Sequence, residues 1–151
     1  DMVRLGIGLY GVSNDAEEQK YLENVSTLKS VISQIRTVPA GDSVGYGRRF
    51  MAAKPTVVAT IPIGYADGIS RLWGNGSGYV TEKKKKAIIL GSVCMDMLMV
   101  EVTGIDCSEG DDVIVFGESP TVIEIAEKTQ TIPYEILTSI SQRVKRVFYR
   151  E

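Results

Sequence analysis

The sequence predicts a mainly β fold, a small Greek-key-like barrel or sandwich with two short helices near its C-terminal end. Three observations carry this expectation. Runs rich in Val, Ile and Thr recur at roughly 8–12-residue spacing between Gly, Pro and Asp turn signals. Helix start signals come only in the last third of the chain. With 151 residues, 44% apolar and 24% charged, the chain is long enough for one domain with a real core.

The elements follow in order. "DMVRLGIGLYG" reads as a strand already under way, and Asp1 stands where a start methionine would, so a piece of a longer protein is expected. "STLKSVISQIRTV" (Ser26–Val38) is β-branched and loosely alternating, and "PAGD" ends it as a turn. "TVVATIPI" (Thr56–Ile63) is a second strand, closed by "GYADG". "YVTEKKKKAIIL" reads as a hairpin with solvated lysines at its tip. "SVCMDMLMVEVT" (Ser92–Thr103) alternates Val93, Met95, Met97 and Met99 against Cys94, Asp96, Leu98 and Val100, a strand pattern. "DVIVFG" (Asp112–Gly117) is another strand. Thr121 with Glu124 three residues on forms a capping box for a first helix. Pro133 opens a second helix, with Ile136, Leu137 and Ile140 on one face. "KRVFYRE" closes the chain as a strand.

Composition narrows the function. Seventeen basic groups stand against nineteen acidic ones, a net charge of −2, which argues against nucleic acid as the partner. There is no histidine, and Cys94 and Cys107 form no CxxC pair, so no Cys/His metal site is expected. Two cysteines could bridge, but a reducing cytoplasm fits as well. No apolar run approaches the roughly 18 residues of a membrane span.

Candidate site residues each have a bland alternative. In "SVGYGRRF", Tyr46 sits between Gly45 and Gly47, which let backbone or ligand come close. A phenol with a pKa of about 10 becomes usable for proton transfer if a cation lowers it by about 1–3 units. The alternative is a tight turn with a surface tyrosine and solvated Arg48 and Arg49. Tyr65 and Arg71 of "IPIGYADGISR" could reach a carboxylate or phosphate, or simply end a polar loop. Asp96 is cheap if exposed and needs partners if buried. Cys94 reads as a small hydrophobe, since no histidine is present to activate it. Backbone amides at Gly6 and Ile7 could hold one phosphate, although "GIG" is only part of a dinucleotide fingerprint.

Taken in order, "MVRLGIGLYG", "SVGYGRRF", "IPIGYADGISR", "GSVCMDMLMVEVT", "GDDVIVFG" and "TIPYEILTSISQRVKRVF" resemble the C-terminal part of the alanine racemase family. The resemblance runs from Met2 to about Tyr149. It implies one part of a pyridoxal-phosphate isomerase that interconverts L- and D-alanine. Such an enzyme has an N-terminal (β/α)8 barrel and a C-terminal β domain, here residues 1–11 and 12–151. The active site lies between one subunit's barrel and the other subunit's β domain. The implied setting is a cytoplasmic homodimer supplying D-alanine for peptidoglycan.

The resemblance also assigns roles. Arg4 would bond the cofactor's pyridine nitrogen, and Gly6, Ile7 and Tyr134 its phosphate. Tyr46 would be the acid/base on one face of the substrate's α-carbon. Met95 would take the substrate carboxylate on its backbone amide, and Tyr65 would line the narrow approach, with Arg71 further out. Arg48 and Arg49 match no active-site position of the family. The lysine that bears the cofactor belongs to the barrel and has no match in this chain. Gly91-Ser92 stands where many members carry Gly-Arg. Two other expectations accompany this one: a related racemase for serine or a broader range of amino acids, or a domain that alone only mediates binding or dimerisation.

Overall fold

A computed structural model gives the structure, described for residues 2–4 and 6–149. In chain order its strands are β1 (Leu28–Val31), β2 (Gln34–Val38), β3 (Ser43–Val44), β4 (Phe50–Met51), β5 (Thr56–Ile61), β6 (Tyr79–Glu82), β7 (Lys85–Leu90), β8 (Leu98–Glu101) and β9 (Asp112–Phe116). The helices are α1 (Ala16–Gln19), α2 (Val122–Lys128) and α3 (Pro133–Ser139). Seven strands form one sheet in the order β1-β9-β6-β7-β8-β5-β2, every pairing antiparallel. β3 and β4 form a separate hairpin.

The two outermost strands of this sheet, β1 and β2, are joined only by Ile32 and Ser33. Ile32 still belongs to the β9 side: its N–H donates to the Asp111 carbonyl at 2.9 Å. The next residue has changed sides, since the Ser33 N–H donates to the Thr60 carbonyl at 2.9 Å. Two residues cannot span a flat seven-stranded sheet, because neighbouring strands alone lie about 4.8 Å apart. The sheet therefore curls until its ends meet.

Strand alternation sorts residues between two cores. Ala59 and Ile61 of β5 enter the main core inside the curl, with Val80, Ile89, Leu98 and Val113 from the other strands. Val58, immediately before Ala59 in sequence, faces the other way. It joins Val38, Val44, Leu90, Cys94 and Met99 in a second cluster beneath the β3–β4 hairpin. Helices α2 and α3 cover the main core through Ile125, Ala126 and Ile136.

The mainly β class and the two late helices are as the sequence predicts. Thr121 caps α2 by accepting the Glu124 N–H, but the Glu124 carboxylate accepts the Tyr79 hydroxyl at 2.8 Å. Pro133 starts α3, and Ile136, Leu137 and Ile140 all pack on the main core.

Other expectations need correction. Ser26–Val38 is two strands that serve opposite ends of the sheet. Ser92–Thr103 contributes only Leu98–Glu101, because the chain turns back on itself ahead of it, the Cys94 N–H donating to the Met97 carbonyl at 2.9 Å. The start is no strand where it is described: Ile7–Tyr10 form a 3-10 turn. Residues 145–149 of the expected closing strand have no regular structure, and Arg150 and Glu151 lie outside the described residues. Only Lys83 and Lys84 make the lysine turn. Lys83 is tied down, donating to the Asp111 carboxylate at 2.9 Å and the Asp106 carbonyl at 3.1 Å.

Candidate active site

Two loops that are distant in sequence are docked backbone to backbone. The Tyr65 N–H donates to the Cys94 carbonyl and the Ala66 N–H to the Met95 carbonyl, both at 2.9 Å. Gly64 permits this approach: a Cβ there would stand 2.3 Å from the Cys94 oxygen and 2.4 Å from the Met95 oxygen. The structure thus brings Tyr65 and Met95 together, both exposed.

Asp67 organises the first loop. Its Oδ2 accepts the Gly64 N–H at 2.8 Å, and its Oδ1 accepts Nε of Arg143 at 2.7 Å. Nη2 of the same arginine donates to Asp96, next to Met95. One guanidinium therefore bridges both loops, and these two carboxylates hold it charged more firmly than an ordinary arginine. Asp96 is exposed and ion-paired, in a loop and not within a strand. Arg71 lines one cleft with Tyr65, Thr129 and Glu135.

Gly6, Ile7 and Tyr134 also converge. The Ile7 N–H donates to the Tyr134 hydroxyl at 3.0 Å, across 127 positions of sequence. A Cβ at Gly6 would stand 2.8 Å from that hydroxyl, so the bare glycine leaves room around it. Tyr134 projects from the first turn of α3 and remains 43% exposed. Arg4 is exposed, two residues before this group.

Tyr46 is 78% exposed at the tip of the β3–β4 hairpin. Gly45 (φ +74) and Gly47 (φ +70) occupy left-handed backbone that suits glycine. A Cβ on Gly45 would meet the Met99 side chain at 2.9 Å, and one on Gly91 the Val44 carbonyl at 2.9 Å. The turn bearing Tyr46 is therefore seated against the segment that leads to Met95. Cys94 lies in the second core as a small hydrophobe, and burial pushes the Cys107 thiol up, away from reactivity. No group of three or more His, Cys, Asp or Glu that could hold a metal occurs among the described residues.

The family model "Alanine racemase, C-terminal domain" matches residues 25–148. This chain belongs to that family. Alanine racemase 2 of Caldanaerobacter subterraneus subsp. tengcongensis is 43% identical over 98% of this chain and 40% of its own length. The alanine racemase of Alteromonas mediterranea is 43% identical over 95% of this chain and 41% of its own. Among solved structures, alanine racemase from Streptomyces coelicolor A3(2) superposes with a TM-score of 0.92 at 35% identity, over 100% of this chain and 41% of that one. The Bartonella henselae enzyme, solved with covalently bound pyridoxal phosphate, gives 0.88 at 37% identity, over 95% of this chain and 40% of that one. The chain spans about two-fifths of the length of the curated relatives it matches. In this alanine racemase C-terminal domain, sequence reasoning missed Arg143. "SQR" carries no local signal, and only the pairing of Asp67 with Asp96 across the fold reveals it.

Proposed function

We propose that this chain is the C-terminal domain of a pyridoxal-phosphate-dependent alanine racemase, an isomerase that interconverts L- and D-alanine. The reading places it in a cytoplasmic homodimer that supplies D-alanine for peptidoglycan. Residues 1–11 end an N-terminal (β/α)8 barrel, and 12–151 form the β domain that faces the partner's barrel. No helix among the described residues is long and apolar enough to cross a membrane.

The observation that carries the reading is the meeting of Ile7 and Tyr134. A backbone N–H and a phenolic O–H are donors suited to a phosphate, and the missing side chain of Gly6 lets the Tyr134 hydroxyl come up against that stretch of backbone. The residues present therefore fit the phosphate end of the cofactor. When bound, the cofactor supplies the electron sink that makes an amino acid's α-proton removable at neutral pH. Arg4 sets a fixed positive charge at the pyridine nitrogen. Met95 offers its backbone N–H to the substrate carboxylate, and Tyr65 narrows the approach beside it. Tyr46 holds or delivers the α-proton on one face. The other face belongs to the cofactor-bearing lysine of the N-terminal barrel.

The test is Tyr46→Phe in the full-length enzyme. The ring still fills its space, so cofactor binding should persist, while loss of a positioned acid/base slows racemisation by about 10²–10⁴. In deuterated water, D-alanine should still exchange its α-proton through the lysine face and L-alanine should hardly exchange. Comparable residual exchange of both enantiomers overturns the assignment of Tyr46. Full-length protein that makes no D-alanine from L-alanine overturns the whole reading.

A further inference from the structure

The proposed carboxylate site has a charge problem. Met95, whose amide takes the substrate carboxylate, is followed immediately by Asp96. The N–H groups of Met95, Asp96 and Met97 donate to no acceptor among the described residues, and all three residues are exposed. This short bend is a surface of free donors, suited to an anion, with an anionic side chain in its middle. Arg143 answers that charge directly. Its Nη2 donates to Asp96, while its Nε is fixed at 2.7 Å on Asp67, whose side chain is only 10% exposed.

The arginine is itself held in place. The Ser141 N–H donates to the Asp67 carbonyl at 3.0 Å, and Arg146 donates to the carbonyls of Ile140, Ser141 and Val144. The segment after α3 therefore delivers one guanidinium to a fixed point between two loops. A lysine could not do this, since a single ammonium lacks the planar fork that serves two carboxylates from different directions.

We infer that Arg143 is a positioning residue for the substrate carboxylate: it cancels Asp96 beside the Met95 amide and fixes that loop to the one carrying Tyr65. This rests on the racemase reading above. Without the guanidinium, the incoming carboxylate meets an uncompensated like charge in a partly screened site, which weakens its binding by about tenfold. The effect falls on KM, because the carboxylate keeps its charge through the reaction and is held alike in ground and transition states.

The experiment compares Arg143→Gln, Asp96→Asn and the double variant in the full-length holoenzyme. KM and kcat for L-alanine are measured, together with calorimetric binding of propionate, a carboxylate with no amine to react. Arg143→Gln should raise KM and the propionate Kd about tenfold, with kcat changing less. Asp96→Asn should hold or tighten propionate binding. The double variant should return to within about threefold of wild type, since removing Asp96 removes the charge that Arg143 answers. A double variant no better than Arg143→Gln, or an Asp96→Asn that weakens propionate as much as Arg143→Gln, overturns the inference and leaves the racemase reading standing. Wild-type enzyme that neither racemises alanine nor binds propionate overturns the reading itself. Should Arg143→Gln fail to fold, Asp96→Asn decides alone: weaker propionate binding refutes the inference, and equal or tighter binding supports it.

Discussion

At Gly64 a single hydrogen atom decides whether two loops can touch. Its φ of −151° is one any residue adopts, so an alanine there meets a purely steric obstacle. The obstacle is the Cys94 and Met95 carbonyls, backbone atoms that cannot swing aside as a side chain tip can. Gly64→Ala should therefore destabilise the domain by about 1–3 kcal/mol, read from the midpoint of urea unfolding. A change too small to move that midpoint would show that the loops adjust freely. Legibility at this scale followed sequence distance. Tyr46 announces itself by flanking glycines, and Asp67-Gly68 by its turn signal. Arg143 announces nothing, because its carboxylate partners lie 76 and 47 positions away. The Ile7–Tyr134 bond spans 127 positions, and each half looks ordinary without the other; the family resemblance set both on one phosphate, but their direct hydrogen bond needed the fold.

Elements were legible where their pattern is local. α2 and α3 carry their own start signals, and β5 and β9 their own β-branched runs. The errors arose where pattern continues but partners change. Ser26–Val38 keeps its alternation while crossing from β9 to β5, and Val93–Met97 alternates through a loop. The β6–β7 turn shows a different tension. Lys83 (φ +42) and Lys84 (φ +66) occupy backbone that glycine and asparagine prefer. Lys84→Gly should raise stability by up to about 1 kcal/mol in the same unfolding assay, and a loss would mean that Lys84 has an unseen role. Lys83 differs, since its hydrogen bond holds the Asp111 carboxyl below the usual carboxylate range. A depressed carboxyl contributes stability above its unfolded pKa and loses it as pH falls through its folded one. Lys83→Gln should thus be less stable than wild type at pH 7, and the gap should shrink below about pH 4. A gap that stays constant with pH would remove the ion pair as its cause.

Taken as a whole, the molecule has its main core within the described residues, sealed by α2 and α3. The purified domain should fold cooperatively, yet produce no D-alanine in a chiral assay, because the proposed site lacks the barrel's lysine. D-Alanine formed by domain free of full-length enzyme would refute that. The amides of Leu9 and Tyr10 should exchange with solvent faster than those of β5 and β8, since both side chains are exposed on a short 3-10 turn. Equal protection would mean that this turn belongs to the core. The seam between Ile32 and Ser33 reaches beyond the finished fold. Leu28 pairs with Phe116, so a ribosome releases β1 long before its partner exists. Until β9 follows it, β1 is a bare hydrogen-bonding edge in search of a mate, and a ribosome stalled in that interval would leave it free to zip onto a neighbouring nascent chain.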